Sequence, residues 1–248
     1  MTTQPIPRIA LFDVLRGVAL LAMAVYHFAF DLEMFGLTNL GGVSEHPLWV
    51  VFARAIAGNF LALVGVSLYL AHGQGIRWGG FLRRLAMIVA AAAAITVLSY
   101  FFDPEAMIWF GILHCIALSS VIGLAFLRLP LPVVLIAAAL CFVAPYVLTA
   151  PVFKSPTLLW LVLTDEPLPS NDYNPLLPWF GAVLIGIAIA RIVLPFARAG
   201  GNWAKWQPDA LVTRTLALAG RHSLLVYLVH QPILIGLVYA ASRLLAEG

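Results

Sequence analysis

The feature that most constrains this chain is the recurrence of apolar stretches about 20 residues long, the length an α-helix needs to cross the hydrocarbon core of a bilayer. Seven such stretches run roughly from 9 to 30, 48 to 71, 81 to 102, 107 to 127, 130 to 149, 175 to 197 and 222 to 245. Apolar residues make up 62% of the chain and charged residues only 10%, against about 45–50% and about 25% in soluble domains. Too little polar surface remains to cover a water-soluble fold of this size, which excludes a cytosolic enzyme, a nucleic-acid binder and a disordered chain. The fold class that follows is all-α, a polytopic membrane helix bundle of about seven transmembrane helices. The first stretch carries Asp13 and Arg16 and has no small-residue cleavage site, so it reads as a retained span and not a signal peptide. The shorter piece PTLLWLVLT, 156 to 164, cannot span and reads as an interfacial or re-entrant loop.

Basic residues near span ends are retained on the cytoplasmic side. Arg8 precedes the first span, Arg77, Arg83 and Arg84 lie at the second connection, Arg128 at the fourth, and Arg198, Lys205, Arg214 and Arg221 at the sixth. The intervening connections hold Asp31, Glu33 and Glu45, then Asp103 and Glu105, then Asp165, Glu166 and Asp172 with Lys154 as the one base. Every connection fits a cytoplasmic N-terminus and an outer C-terminus. No internal repeat divides the chain, and residues 1–248 are expected to form a single membrane domain.

Charges and imidazoles inside a span are expensive, and they mark functional candidates by default. Asp13 and Arg16 stand near the inner end of the first span, either as a ligand-binding pair or as a self-neutralising one. His27 and Asp31 fall one turn apart near its outer end, a spacing that lets a carboxylate orient an imidazole and raise its basicity. Arg54 in the second span and His114 in FGILHC lie at a similar depth to His27. The three form either a shared cavity or a set of separately satisfied groups. Asp172, in NDYNPLLPWFG, either closes that cavity from outside or makes a turn or cap. His230, followed by Gln231 and Pro232, lies within the last span, where a structural role toward freed backbone carbonyls competes with a functional one. His72 and His222, at cytoplasmic ends, are expected to be solvated, and Trp49, Trp109 and Trp179 to form an interfacial belt. Cys115 and Cys141 have no partner at a metal or disulfide spacing.

The segments RIALFDVLRGVALLAMAVYHFAFDL, NFLALVGVSLYLA, RRLAMI, FGILHCIALSS, DYNPLLPWFG and GRHSLLVYLVHQPIL together resemble the heparan-alpha-glucosaminide N-acetyltransferase catalytic-domain family, in its bacterial branch. The resemblance implies a multi-pass protein of the bacterial inner membrane. Its implied reaction moves an acetyl group from cytoplasmic acetyl-CoA to an amine or hydroxyl of an extracytoplasmic or lipid-linked sugar. It implies an essential outer-loop histidine three residues before a tryptophan, matched by His46 and Trp49 in SEHPLW. Eukaryotic members carry asparagine at the position of His27, which shares in the catalytic role here. The base would then be His46 or His27, with Asp31 orienting His27 and Arg54 or His114 donating to the oxyanion. Acyl-CoA would meet Arg16, Arg83, Arg84, Arg221 and His230, and the acceptor Asp172, Trp49 and Trp179. No metal and no nucleic acid are expected; the bilayer, acyl-CoA and a sugar or glycan are the expected partners, with a homodimer left open. Two rival readings use the same residues: a transporter or proton-coupled carrier, and a non-catalytic membrane subunit.

Overall fold

The computed structural model describes residues 9–148, 150–155, 157–162, 169–198 and 201–246. Arg8, Asp165, Glu166 and parts of the 156 to 164 stretch lie outside them. Nine α-helices are described: α1 (Ala10–Met34), α2 (Pro47–His72), α3 (Trp78–Phe102), α4 (Ile112–Phe126), α5 (Leu131–Val147), α6 (Leu176–Arg198), α7 (Asn202–Lys205), α8 (Leu211–Arg221) and α9 (Ser223–Ala246). Five of them, α1, α2, α3, α6 and α9, are long and apolar enough to cross a membrane. Helices α4 and α5 have 15 and 17 residues, about 22 and 25 Å at about 1.5 Å per residue. They are shorter than the stretches expected from hydropathy, because Gly111 and Pro130 set their starts and Leu127 and Leu148 their ends. Apolar residues at 107–110 and at Leu127 and Leu148 extend the hydropathy signal without extending the helices.

The chain divides into two compact units, residues 1–60 with 199–248 and residues 61–198. In the first, α1 packs along α8 and α9, which are separated only by His222. The chains run in the same direction: Gly17 meets the α8 backbone near Gly220, Met23 shares a cluster with Val226 and Tyr227, and His27 meets His230. The crossing of α1 and α8 is backbone against backbone. A Cβ on Gly17 would lie 2.0 Å from the Leu216 oxygen, and one on Gly220 would lie 1.8 Å from the Asp13 oxygen. Small residues at such a contact let two helices approach where lipid supplies no hydrophobic drive.

The second unit has a denser apolar core, with Leu61, Val183, Leu184 and Ile187 all at 0% exposure. It repeats the glycine device at Gly65 and Gly186, whose added Cβ atoms would each lie 1.9 Å from a carbonyl oxygen, of Val183 and Ala62 respectively. One turn further along both helices, the Arg191 guanidinium lies 5.4 Å from the centre of the Tyr69 ring, so the C-terminal half of α2 and α6 also run in parallel. Arg191 donates to the carbonyls of Phe126, Leu127 and Leu129, neutralising the end of α4. The 157–162 segment is a loop, as expected, and it turns back on the start of α6. Leu159 and Val162 are buried, the Leu176 and Leu177 amides donate to Trp160 and Leu161, and the Tyr173 hydroxyl donates to Leu159 at 2.7 Å. The pairing through Leu177 explains its extended backbone inside α6.

A candidate acyl-transfer site on the first helix

Helix α1 carries two polar poles. Near its N-terminal end, Asp13 is 2% exposed and takes Arg16 Nη1 on Oδ1 at 2.8 Å, while Arg221 Nε stands 3.5 Å from Oδ2. The i to i+3 pair read from sequence is therefore formed, and α8 adds a second guanidinium to it. Beside it, Gln207, Arg214, Thr215, Ala217, Leu218 and Arg221 line an open cleft of about 420 Å³. Two arginines, an amide and a hydroxyl at one cleft suit a phosphate ester, since guanidinium makes paired charge-assisted hydrogen bonds to such oxygens.

The second pole, toward the C-terminal end, begins about 16 Å further along α1 from Arg16 to His27, at about 1.5 Å per residue. Here the expected His27–Asp31 hydrogen bond is not made. Gln231 Nε2 instead donates to Asp31 Oδ1 at 2.9 Å, and Asp31 is fully buried. A carboxamide can reach across from α9, whereas the His27 ring is turned toward its neighbours. That ring sits edge-on to Tyr26 at 5.6 Å and to His230 at 5.1 Å. His230 Nδ1 lies 2.6 Å from the Tyr227 carbonyl oxygen. A carbonyl only accepts, so this nitrogen carries the proton, and the neutral ring keeps its lone pair on Nε2. His230 Nε2, Asp31 Oδ2 and Gln231 Oε1 are all buried without a hydrogen-bond partner among the described residues.

The loop after α1 holds His46. Glu33 fixes it by accepting the backbone N–H groups of Leu40 (3.1 Å), Gly42 (2.9 Å) and Val43 (2.5 Å). Gly41 and Gly42, at φ 80° and 85°, make the turn that aims these amides at one carboxylate. His46 is exposed at the start of α2, and its Nδ1 accepts the Leu48 N–H at 3.3 Å. The neutral ring therefore presents Nε2–H, a donor. Trp49 is held between Tyr26 at 6.2 Å and Phe52 at 6.0 Å. Arg54 is exposed on α2, in the same unit as His27.

His114 and Asp172 belong to the second unit. His114 Nδ1 accepts the Gly111 N–H at 3.2 Å, and Nε2 donates to Thr96 Oγ1 at 3.3 Å, whose own hydroxyl donates to the Ile108 oxygen at 2.6 Å. Both ring nitrogens are thus engaged in holding the start of α4 to α3. Asp172 caps this same helix and not the one it precedes in sequence: its Oδ2 accepts the Ile112 N–H at 2.9 Å, and its Oδ1 accepts from Asn174. Burial pushes the Asp172 carboxyl above its ordinary range, against the pull of those two donors. The two candidate tryptophans of this unit pack against protein. Trp179 packs on the apolar core, and Trp109 tilts against Tyr173 at 5.3 Å with its Nε1 buried. Arg83 and Arg84 are exposed on the first turns of α3, with Arg84 at the edge of a small cavity shared with His72 and Ser120. His72, expected in solvent, is 8% exposed: its Nδ1 accepts the Arg77 N–H, and its ring stands edge-on to Phe81. His222 is exposed.

Two residues of the first unit escaped the sequence reading. Gln231 was seen only as a backbone partner beside Pro232, and Glu33 only as an outer-loop charge. A Gly-Gly pair downstream of a helix-terminal carboxylate is a weak local signal for the Glu33 loop; nothing local marks Gln231, whose partner is 200 positions away.

No curated protein and no solved structure matches this chain. The family model described as "Heparan-alpha-glucosaminide N-acetyltransferase, catalytic" matches residues 8–232, which takes in α1, the His46 loop and the α9 residues of the seam. The chain is a multi-pass membrane protein of acetyltransferase type, and it belongs to the heparan-alpha-glucosaminide N-acetyltransferase catalytic family.

Proposed function

We propose that the chain transfers an acyl group, acetyl in the first instance, from cytoplasmic acyl-CoA to an amine or hydroxyl of an extracytoplasmic or lipid-linked sugar. The observation that carries this reading is the pairing of two poles on α1: an arginine-lined cleft at one end and a buried imidazole–carboxylate–carboxamide seam at the other. Acyl-CoA supplies the acyl group as a thioester; the acceptor N–H or O–H proton leaves as the new amide or ester bond forms, and the thiol departs. Arg16 and Arg221 would hold phosphate at the inner pole, with Arg214 beside them. His27, pressed against the lone-pair-bearing His230, is the base at the outer pole. His46, in the orientation set by Leu48, acts as an N–H donor toward developing negative charge.

The same reading places seven spans in the membrane, with the N-terminus inside and the C-terminus outside. It is supported by the parallel runs of α1 with α8–α9 and of α2 with α6, since first and seventh spans, and second and sixth, must point the same way. Helices α4 and α5 would complete the count within their apolar flanks. A tag after Gly248 should be reachable from outside and one between 201 and 210 should not; both tags on one side would remove the seven-span arrangement. The activity is tested by thiol release from acetyl-CoA with purified protein. Release stimulated by an amino sugar is expected, and substrate flux across vesicles without thiol release would overturn the enzyme reading.

A further inference from the structure

Helix α8 presents two unlike faces. Leu216 and Gly220 meet the α1 backbone at Gly17 and Asp13, and Ala217 beside them is buried. Leu211, Arg214, Thr215, Leu218 and Arg221 recur at helical spacing on the other face, and all five are exposed. Leu211 is 81% and Leu218 57% exposed. Arg214, Thr215, Leu218 and Arg221, with Gln207, line the cleft of about 420 Å³, and no carboxylate lines it. Arg214 makes no hydrogen bond or ion pair among the described residues. Asp13 meets Arg221 only through Nε, and Asp209 Oδ1 accepts the Ala210 amide.

The helix stops one residue short of α9 and lies against the first turns of α1, and both of these are long and apolar enough to cross a membrane. Its open face therefore stands at the level of lipid headgroups. The segment that leads into it carries Trp203, Lys205 and Trp206, residue types enriched at that level. Exposed leucines beside guanidiniums are matched neither by water nor by hydrocarbon alone. A phospholipid matches both, since its phosphate takes charge-assisted hydrogen bonds and its chains cover the leucines.

We infer that this cleft binds the headgroup of an anionic membrane phospholipid, its phosphate on Arg214 and Arg221 and its chains along Leu211 and Leu218. The lipid site is read from these residues alone. One consequence rests on the acyl-transfer reading: Arg221 is shared with the acyl-CoA phosphate, so that lipid and acyl-CoA exclude each other and the membrane regulates cofactor entry.

The test is calorimetric binding of short-chain phosphatidylglycerol and phosphatidylcholine to the full chain in uncharged detergent. Phosphatidylglycerol is expected to bind at least about tenfold more tightly, since each basic side chain at the surface adds attraction for net negative charge. Arg214→Gln should weaken phosphatidylglycerol about fivefold and change phosphatidylcholine little. Leu211→Ser combined with Leu218→Ser should weaken phosphatidylglycerol and leave glycerol phosphate, which has no chains, unaffected. Each variant tests the site by itself, and thermal unfolding checks that it folds. Equal binding of the two lipids by the unmodified chain, or a preference that survives Arg214→Gln, overturns the site. Glycerol phosphate bound as tightly as phosphatidylglycerol overturns the lipid as occupant in favour of a free phosphate. Acetyl-CoA should displace the lipid; lipid binding that it does not displace keeps the lipid site and removes acyl-CoA from the cleft, whereas acetyl-CoA binding with no lipid preference does the reverse.

Discussion

His114 and His230 look alike along the chain, each an imidazole in the first half of an apolar helix, and the two units use them in opposite ways. In the second unit, His114 spends both nitrogens on fixed partners, Gly111 and Thr96, beside an Asp172 that caps the same helix end. In the first unit, His230 spends one nitrogen on the Tyr227 carbonyl and leaves the other bare, next to a carboxylate and a carboxamide that are each half satisfied. A polar residue in a membrane helix is costly in both cases. What separates scaffold from site is how completely its hydrogen bonds are closed, and a reader of depth and residue type has no access to that.

The contrast breaks most visibly at the base. His27→Ala should lower turnover by about 100-fold to 10,000-fold while acyl-CoA binding persists; a variant of near-normal kcat would move the chemistry away from the seam. Arg16→Gln, at the N-terminal pole of the same helix, should weaken apparent acyl-CoA affinity by about tenfold, with kcat little changed, through loss of a charge-assisted hydrogen bond. Steady-state titration of acyl-CoA reads this directly, and unchanged affinity would leave Arg16 as the partner of Asp13 alone.

At His114 the prediction reverses sign of interest. His114→Ala should cost about 1–2 kcal/mol of stability through loss of the helix-start hydrogen bonds, and it should leave kcat per folded molecule close to unchanged. A kcat loss on the scale of the His27 variant would erase the distinction between the two histidines. The smallest effect belongs to Asp172. Because burial holds its folded carboxyl above the unfolded value, its contribution to stability is present below the unfolded range and is lost as pH rises through the raised folded one. Thermal unfolding should therefore show the unmodified chain losing stability relative to Asp172→Asn as pH rises above the ordinary carboxylate range of about 4; an offset independent of pH would mean that the carboxyl is not held above that range.

Much of this was legible without coordinates. Apolar run length gave each long helix to within a few residues, because backbone hydrogen bonds must close within each segment in lipid, and that condition is local. The Asp13–Arg16 pair was legible for the same reason, being i to i+3 on one helix. The i to i+4 spacing of His27 and Asp31 carried the same signal and failed, because Gln231 competes for the carboxylate from another helix. Hydropathy likewise overran α4 and α5, since the residues at 107–110, Leu127 and Leu148 are apolar whether or not their backbone is helical.

The sequence by itself determined an all-helical membrane protein, its family, and the small set of polar residues from which any site must be made. Only the tertiary structure decided which of those residues are closed and which are open. Hydropathy and spacing report what one segment does alone, whereas the state of Asp31, His114, Asp172 and His230 depends on partners that the fold brings from distant positions: 200 residues away for Asp31 and 60 for the Ile112 amide on Asp172.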